Sequence, residues 1–193
     1  GVVMCDRAKM YWRVGRMQWC WEHLKRDFQA LIDCGNNQAR RLGYDLRRCA
    51  RALFQHWAAY RNGEISLAAL QRRIAPVRRK TEDYLRRGLT SGNKTIVGMC
   101  RELYEHRAWL WEFVRTAGVE PTNNAGERAL RHAVIWRKLS FGTQSAQGSR
   151  FVETMLTLLE TCRQQGRLPF EYLVQAVKAY LSGQNTPSLL PGV

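Results

Sequence analysis

MQWCWEHLKRDFQALIDCGNN, residues 17–37, is the stretch in which the hydrophobic period changes from that of a strand to that of a helix. Met17-Gln18-Trp19-Cys20 reads as a short strand. Trp21, Leu24, Phe28, Leu31 and Ile32 then recur at helical spacing until Gly35-Asn36-Asn37 stops the run with C-cap chemistry. Upstream, residues 1–5 are apolar and β-branched enough for a buried strand that ends at Asp6. The chain therefore opens strand, strand, helix.

Downstream the strand signal disappears. Leu42, Leu46, Cys49, Leu53, Trp57 and Tyr60 make one amphipathic stripe that ends at Asn62-Gly63. A second helix starts at Ser66 and carries Leu67, Leu70, Ile74, Val77 and Leu85, with Pro76 in mid-course expected to kink or split it. After a polar linker, Gly88 to Asn93, a third helical stretch holds Ile96, Met99, Cys100 and Leu103, then Trp109, Trp111 and Phe113, and ends near Gly118. Past Pro121 the pattern predicts a short helix over 124–133 and a hairpin or ordered loop over 134–149. Two further helices are expected over 150–165 and 169–182, with Phe170, Leu173, Val174, Val177 and Leu181 inward. The fold class is α+β and mostly helical, divided into 1–35, an all-helical insertion at 36–118, a closing segment at 119–182 and a flexible tail at 183–193.

Length and composition exclude several classes. The 193 residues suffice for one core with an insert, 45% are hydrophobic and 24% charged, and no long apolar run occurs, which excludes disorder throughout and a membrane span. No signal-peptide core follows Asp6, so a cytosolic chain or a piece of one is expected; Gly1 in place of Met favours processing or truncation. The 31 Lys+Arg against 16 Asp+Glu give a net charge of +15. Most of that surplus is guanidinium, which forks onto phosphate oxygens, so a polyanion such as nucleic acid is the expected partner. The bland alternative is a solvated basic surface. The paired arginines 47–48, 72–73, 78–79 and 86–87 divide in the same way between a DNA track and solvated helix faces. Six scattered cysteines without CxxC do not form a disulfide framework, and Cys20 with His23 supplies only two of the ligands a zinc site needs.

Two acids stand out. Glu127 precedes Arg128, Arg131, Arg137, Lys138 and Arg150 with no acid among them, so it stays ionised, as a metal ligand must. It shares a helix face with Leu130 and Val134 and points toward the core edge. Asn124-x-x-Glu127 also has capping-box spacing, and Glu127 to Arg131 that of an i,i+4 ion pair, so the residue reads equally as structural. Asp6 at a strand end is the second candidate, since open sheets place functional groups at their carboxyl edge; its plain reading is a loop acid. His56, His106 and His132 have no ligand spacing, and Trp57, Trp109, Trp111 and Trp136 read as packing residues.

The segment VEPTNNAGERALRHAVIWRKLSFGTQSAQGSRFVETMLTLLETCRQQGR, residues 119–167, closely resembles the C-terminal part of the insertion sequence 66 family of bacterial transposases. Asp6-Arg7 with Tyr11, the run Cys20-Trp21-Glu22-His23-Leu24-Lys25-Arg26-Asp27-Phe28, and the closing Leu181-Ser182-Gly183 resemble its middle region and tail. The resemblance implies an RNase H-like core of the DDE type, interrupted by a helical insertion, with Asp6 as the second acid and Glu127 as the last, both metal ligands. It implies Mg²⁺ or Mn²⁺ as cofactor and DNA as partner, both transposon ends and target. Water cuts at the transposon end, and the freed 3′ hydroxyl attacks target DNA. Arg128, Arg131, Arg137, Lys138 and Arg150 would hold DNA. Cys20, His23, Asn123 and Asn124 belong to the motif without a defined role. Homo-oligomers, helper proteins and a cytoplasmic, nucleoid-associated location follow from the same resemblance. The family's first catalytic Asp has no counterpart here, so this chain alone is expected to hold metal poorly and to be inactive. The alternative reading is a non-catalytic, basic DNA-binding or assembly module of transposase descent.

Overall fold

The computed structural model describes residues 1–190 and shows a mostly helical α+β chain with one small sheet. It divides into two compact units, Gly1–Asn123 and the segment from Asn124 onward.

In the first unit, β1 (Val3–Cys5) and β2 (Met17–Trp19) pair in parallel, with Val3 opposite Met17, Met4 opposite Gln18 and Cys5 opposite Trp19. β2 is buried along its whole length, which explains its unbroken apolar character apart from Gln18. α1 (Trp21–Asp33) follows at once and buries Trp21, Leu24, Phe28, Leu31 and Ile32, the expected face. Gly35 at φ 76° reverses the chain, and Asn36 caps α2 (Asn37–Arg61) by accepting the Ala39 N–H at 3.0 Å.

Ser66 caps α3 (Leu67–Gly88) in the same manner. Of the two outcomes expected at Pro76, a kink or a split, α3 is not split. Leu70, Ile74, Val77, Thr81 and Leu85 are buried on one stripe while Pro76 is exposed, so tertiary contacts on either side hold the helix through the missing N–H. α4 (Lys94–Glu105) starts at Asn93, whose side chain accepts the N–H groups of Thr95 and Ile96. A 3-10 turn (Arg107–Leu110) and the short α5 (Glu112–Arg115) then return the chain to β2.

That return is built on buried polar contacts. The fully buried Gln18 accepts the Phe113 N–H at 2.8 Å and donates to the carbonyl oxygens of Trp19 and Leu110; the Trp21 indole also donates to Leu110 O at 2.8 Å. Trp12, Trp19, His106 and Trp109 form an aromatic cluster in which His106 stacks on Trp109 at 4.1 Å and 9°. Trp111 is buried and Trp57 meets Phe113 edge-on, so three of the four expected packing tryptophans pack.

Glu112 adds a charged tie. Arg16 donates to its carboxylate, as does the Thr116 hydroxyl at 2.8 Å. Burial pushes this carboxyl up, but the hydrogen bonds from Arg16 and Thr116 and the charges of Arg16 and Arg115 outweigh it and hold it below the usual range. A depressed folded pKa stabilises the fold above the unfolded value of about 4.3, and that stabilisation is lost as pH falls through the folded value. Glu112→Gln is expected to cost about 1–2 kcal/mol at neutral pH and to flatten the acid limb of stability against pH. Urea melts of both proteins across the acid range check this; identical pH slopes would refute it.

In the second unit, α6 (Asn124–Ser140) is longer than the sequence pattern predicts, and no hairpin forms over 134–149. Val134, Ile135, Trp136 and Leu139 continue the helix. The chain turns at Phe141 and Gly142, both at positive φ, and Ser145 caps α7 (Ala146–Gln164) by accepting the Gly148 N–H. α8 (Pro169–Leu181) opens with proline in its first turn. Tyr172 OH donates to Pro187 O at 2.8 Å and Gln165 Nε2 to Leu189 O at 2.7 Å, tying residues 187–189 to α7 and α8. The last three positions of the expected tail lie outside the described residues.

The apolar faces of these helices are not covered as expected. Leu130 is 64% exposed, Phe170 76% and Leu181 78%, and Val134, Trp136 and Val177 are also exposed; among the described residues only Leu158, Cys162 and Ala179 are buried in α6–α8. Three helices of this length cannot enclose all their apolar side chains among themselves.

Candidate functional site at the carboxyl edge of the strand pair

Because β1 and β2 are parallel, the residues that follow them emerge at one edge. Asp6 follows Cys5, and Cys20 follows Trp19, Cys5's partner in the register. The Cys20 N–H donates to Cys5 O at 2.9 Å, extending the ladder to that edge. Cys20 is buried at the start of α1, where its carbonyl accepts the N–H groups of His23 and Leu24, and the His23 side chain is half-buried one turn on. Later in the chain, Pro121 O accepts the Trp21 N–H at 2.9 Å, which brings residues 121–123 to the first turn of α1.

Asp6 is exposed. Its Oδ1 accepts the Ala8 N–H at 3.1 Å, and its other oxygen has no partner among the described residues. The neighbouring Arg7 turns away to bridge Asp27 at 2.9 Å and Glu102 at 3.0 Å, tying the β1–β2 connection to α1 and α4. Burial first, then the Asp6 charge and Cys20, pushes the Cys5 thiol up, so Cys5 is not a reactive nucleophile. Asn123 is half-buried, and its Oδ1 is shut off from solvent without a hydrogen-bond partner. Such an acceptor is an oxygen in need of a donor or a cation.

The remaining sequence candidates lie on the second unit. Asn124 is the first helical residue of α6, so its spacing to Glu127 is not that of a cap to the third helical position, and the capping-box reading is not met. Glu127 is exposed on the first turn of α6, as are Leu130 and Val134 on the same face. Arg128, Arg131, Arg137 and Lys138 line α6 and Arg150 the first turns of α7. All five are exposed, and none has an acid partner among the described residues. Sequence reasoning missed Gln18 and the Arg16–Glu112 tie, which hold the segment after α4 against β2. The only signal for Gln18 was one amide inside an otherwise apolar strand.

No helix among the described residues is long and apolar enough to cross a membrane. Two relatives come from Sinorhizobium fredii (strain NBRC 101917 / NGR234). Uncharacterized protein y4qI is 30% identical over 85% of this chain and 31% of its own length. Uncharacterized protein y4jO is 28% identical over 89% of this chain and 51% of its own. The chain thus spans about a third and about half of these relatives. No solved structure matches it. Residues 1–150, which include the strand pair, Asp6, the Cys20–His23 turn and Glu127, match the Transposase IS66 family, and the chain belongs to that family.

Proposed function

We propose that this chain is part of a DNA transposase catalytic region, an RNase H-like core in which Asp6 and Glu127 are the second and last catalytic acids and residues 36–118 the helical insertion. The observation that carries the reading is the position of Asp6 at the carboxyl edge of a parallel strand pair, where open sheets hold their functional groups. Asp6 keeps one carboxylate oxygen unengaged and Asn123 presents an unpaired amide oxygen, hard donors of the kind Mg²⁺ or Mn²⁺ takes. When bound, such ions stabilise the attacking and leaving oxygens of a phosphoryl transfer. The residues of this chain orient the rest. Arg7, spent on Asp27 and Glu102, leaves the Asp6 carboxylate without a competing cation beside it, and the exposed Arg128, Arg131, Arg137, Lys138 and Arg150 neutralise DNA phosphates. The reaction is hydrolysis at a transposon end followed by attack of the 3′ hydroxyl on target DNA, in an assembly with further copies and helper proteins.

Titration with Mn²⁺ in the millimolar range, followed by water-proton relaxation, tests the assignment. Asp6→Asn and Glu127→Gln should each weaken binding about tenfold or more while leaving the thermal melt unchanged. Unaltered Mn²⁺ affinity in both variants would overturn it. The non-catalytic DNA-binding reading draws on a different observation, the crowding of positive charge onto α2 and α3, and would show duplex binding with no Mn²⁺ binding at all.

A further inference from the structure

The positive charge is not spread evenly along the chain. α2 carries six arginines and one acid, Asp45, while α3 carries six arginines and Lys80 against Glu82 and Asp83. Ten of the fifteen net charges therefore lie on two helices. These helices form an antiparallel hairpin: Arg48 Nη2 reaches the Tyr84 hydroxyl at 3.4 Å, and His56, two turns further along α2, feels the charge of Arg73, three turns back along α3.

Between them lies a cavity of about 280 Å³ lined by Arg48, His56, Arg73, Lys80 and Tyr84, with no carboxylate in its wall. Arg73, Lys80 and Tyr84 occupy positions i, i+7 and i+11, a single stripe about 16 Å long. The acids of both helices are engaged outside the cleft or at its rim. Asp45 pairs with Arg48, Glu82 with Arg78 at 2.8 Å, and Asp83 with both Arg86 and Arg87. Arg73 and Lys80 have no acid partner among the described residues. The two unpaired cations, Arg73 and Lys80, lie on one stripe of the α3 wall, and an anion running along that wall would relieve their mutual repulsion.

We propose that the α2–α3 cleft holds the phosphodiester backbone of a DNA strand, with Arg73 and Lys80 neutralising phosphates and His56 hydrogen-bonding to them. The proposal rests on reading the chain as a DNA-handling protein and adds where on the insertion the strand runs. An extended polyanion fits better than a small anion because the cations are exposed, and Arg72 and Arg79, next to Arg73 and Lys80 on α3, are also exposed and unpaired among the described residues. Burial, then the charge of Arg73, pushes the His56 imidazole below its usual range, and a phosphate beside it would draw it back.

Fluorescence anisotropy of a labelled duplex with the full chain, across a salt series, tests the cleft. Arg73→Gln with Lys80→Gln should weaken binding about tenfold and flatten the slope of log affinity against log salt by about two, one for each lost phosphate contact. Arg86→Gln with Arg87→Gln, on the same helix but already paired with Asp83, should change affinity less than about threefold. Both double variants alter exposed side chains, so their thermal melts should coincide with the parent. In the NMR spectrum the His56 ring resonances should move on adding duplex and stay in place with inorganic phosphate at equal phosphate concentration. Equal losses from the two double variants, or a His56 signal that answers to inorganic phosphate and not to duplex, would overturn the cleft. If the parent binds duplex with a steep salt slope and the cleft variants match it, only this proposal fails. If the parent binds no duplex at any salt, the DNA reading itself fails.

Discussion

Gly43→Ala is expected to destabilise the first unit by about 2–3 kcal/mol, although alanine is the better helix former by about 0.8–1.0 kcal/mol. A Cβ at Gly43 would lie 2.6 Å from Phe28 O, 2.7 Å from Ile32 Cγ1 and 3.1 Å from Ile32 N. Two of those three atoms are backbone and cannot rotate away, so α1 and α2 must move apart and open the core over Leu24, Phe28 and Leu46. Gly98 on α4 supplies the control. Nothing lies within 4 Å of its added Cβ, so Gly98→Ala should stabilise by about 0.5–1 kcal/mol through propensity alone. Thermal unfolding separates the two, with shifts of opposite sign. A Gly43→Ala protein that melts with or above the parent would mean that the helices do not approach this closely.

Gln18→Leu carries the other large effect. The side chains match in bulk, so no cavity opens, but the Phe113 N–H loses its acceptor and Leu110 O one of its two donors inside a dry core. An orphaned buried donor costs about 1–3 kcal/mol, and the upper end applies because Gln18 is fully buried. Gln18→Glu should be worse, since its second oxygen would face the Trp19 and Leu110 carbonyls that now accept from Nε2. Hydrogen exchange at Phe113 and Val114 reports the loss directly. Unchanged protection there in the leucine variant would refute the role assigned to the amide.

The strand–strand–helix opening was legible because each element there is buried on the face its period announces, as in α1 from Trp21 to Ile32. α6 was misread past Ala133 because Val134-Ile135-Trp136 is β-branched and aromatic, while Ser140, Gly142 and Gly148 resemble turn punctuation. Local propensity cannot tell an exposed helix from a half-buried strand when nothing covers either face. At Pro76 the helix runs on unsplit, since packing at Ile74 and Val77 offsets the intrinsic penalty. Of the site, Asp6 could be picked out from its place after an apolar run. The unpaired Asn123 amide oxygen could not, because burial without a partner is a property of the fold. The paired arginines were visible as text, but which of them front a common cleft depends on the antiparallel pairing of α2 with α3, and Lys80 and His56 enter only through it.

The lopsided distribution of charge has a kinetic consequence. With ten net positive charges on α2 and α3 and close to none on the remainder of the first unit, that unit is an electric dipole whose positive pole is the helical hairpin. On the DNA reading proposed above, a polyanion's field would turn such a body before contact, so that the hairpin would meet the nucleic acid first, with the carboxyl edge of the strand pair already oriented. Encounter would then be guided at low ionic strength and revert to random collision once counterions shorten the field to less than the width of the hairpin.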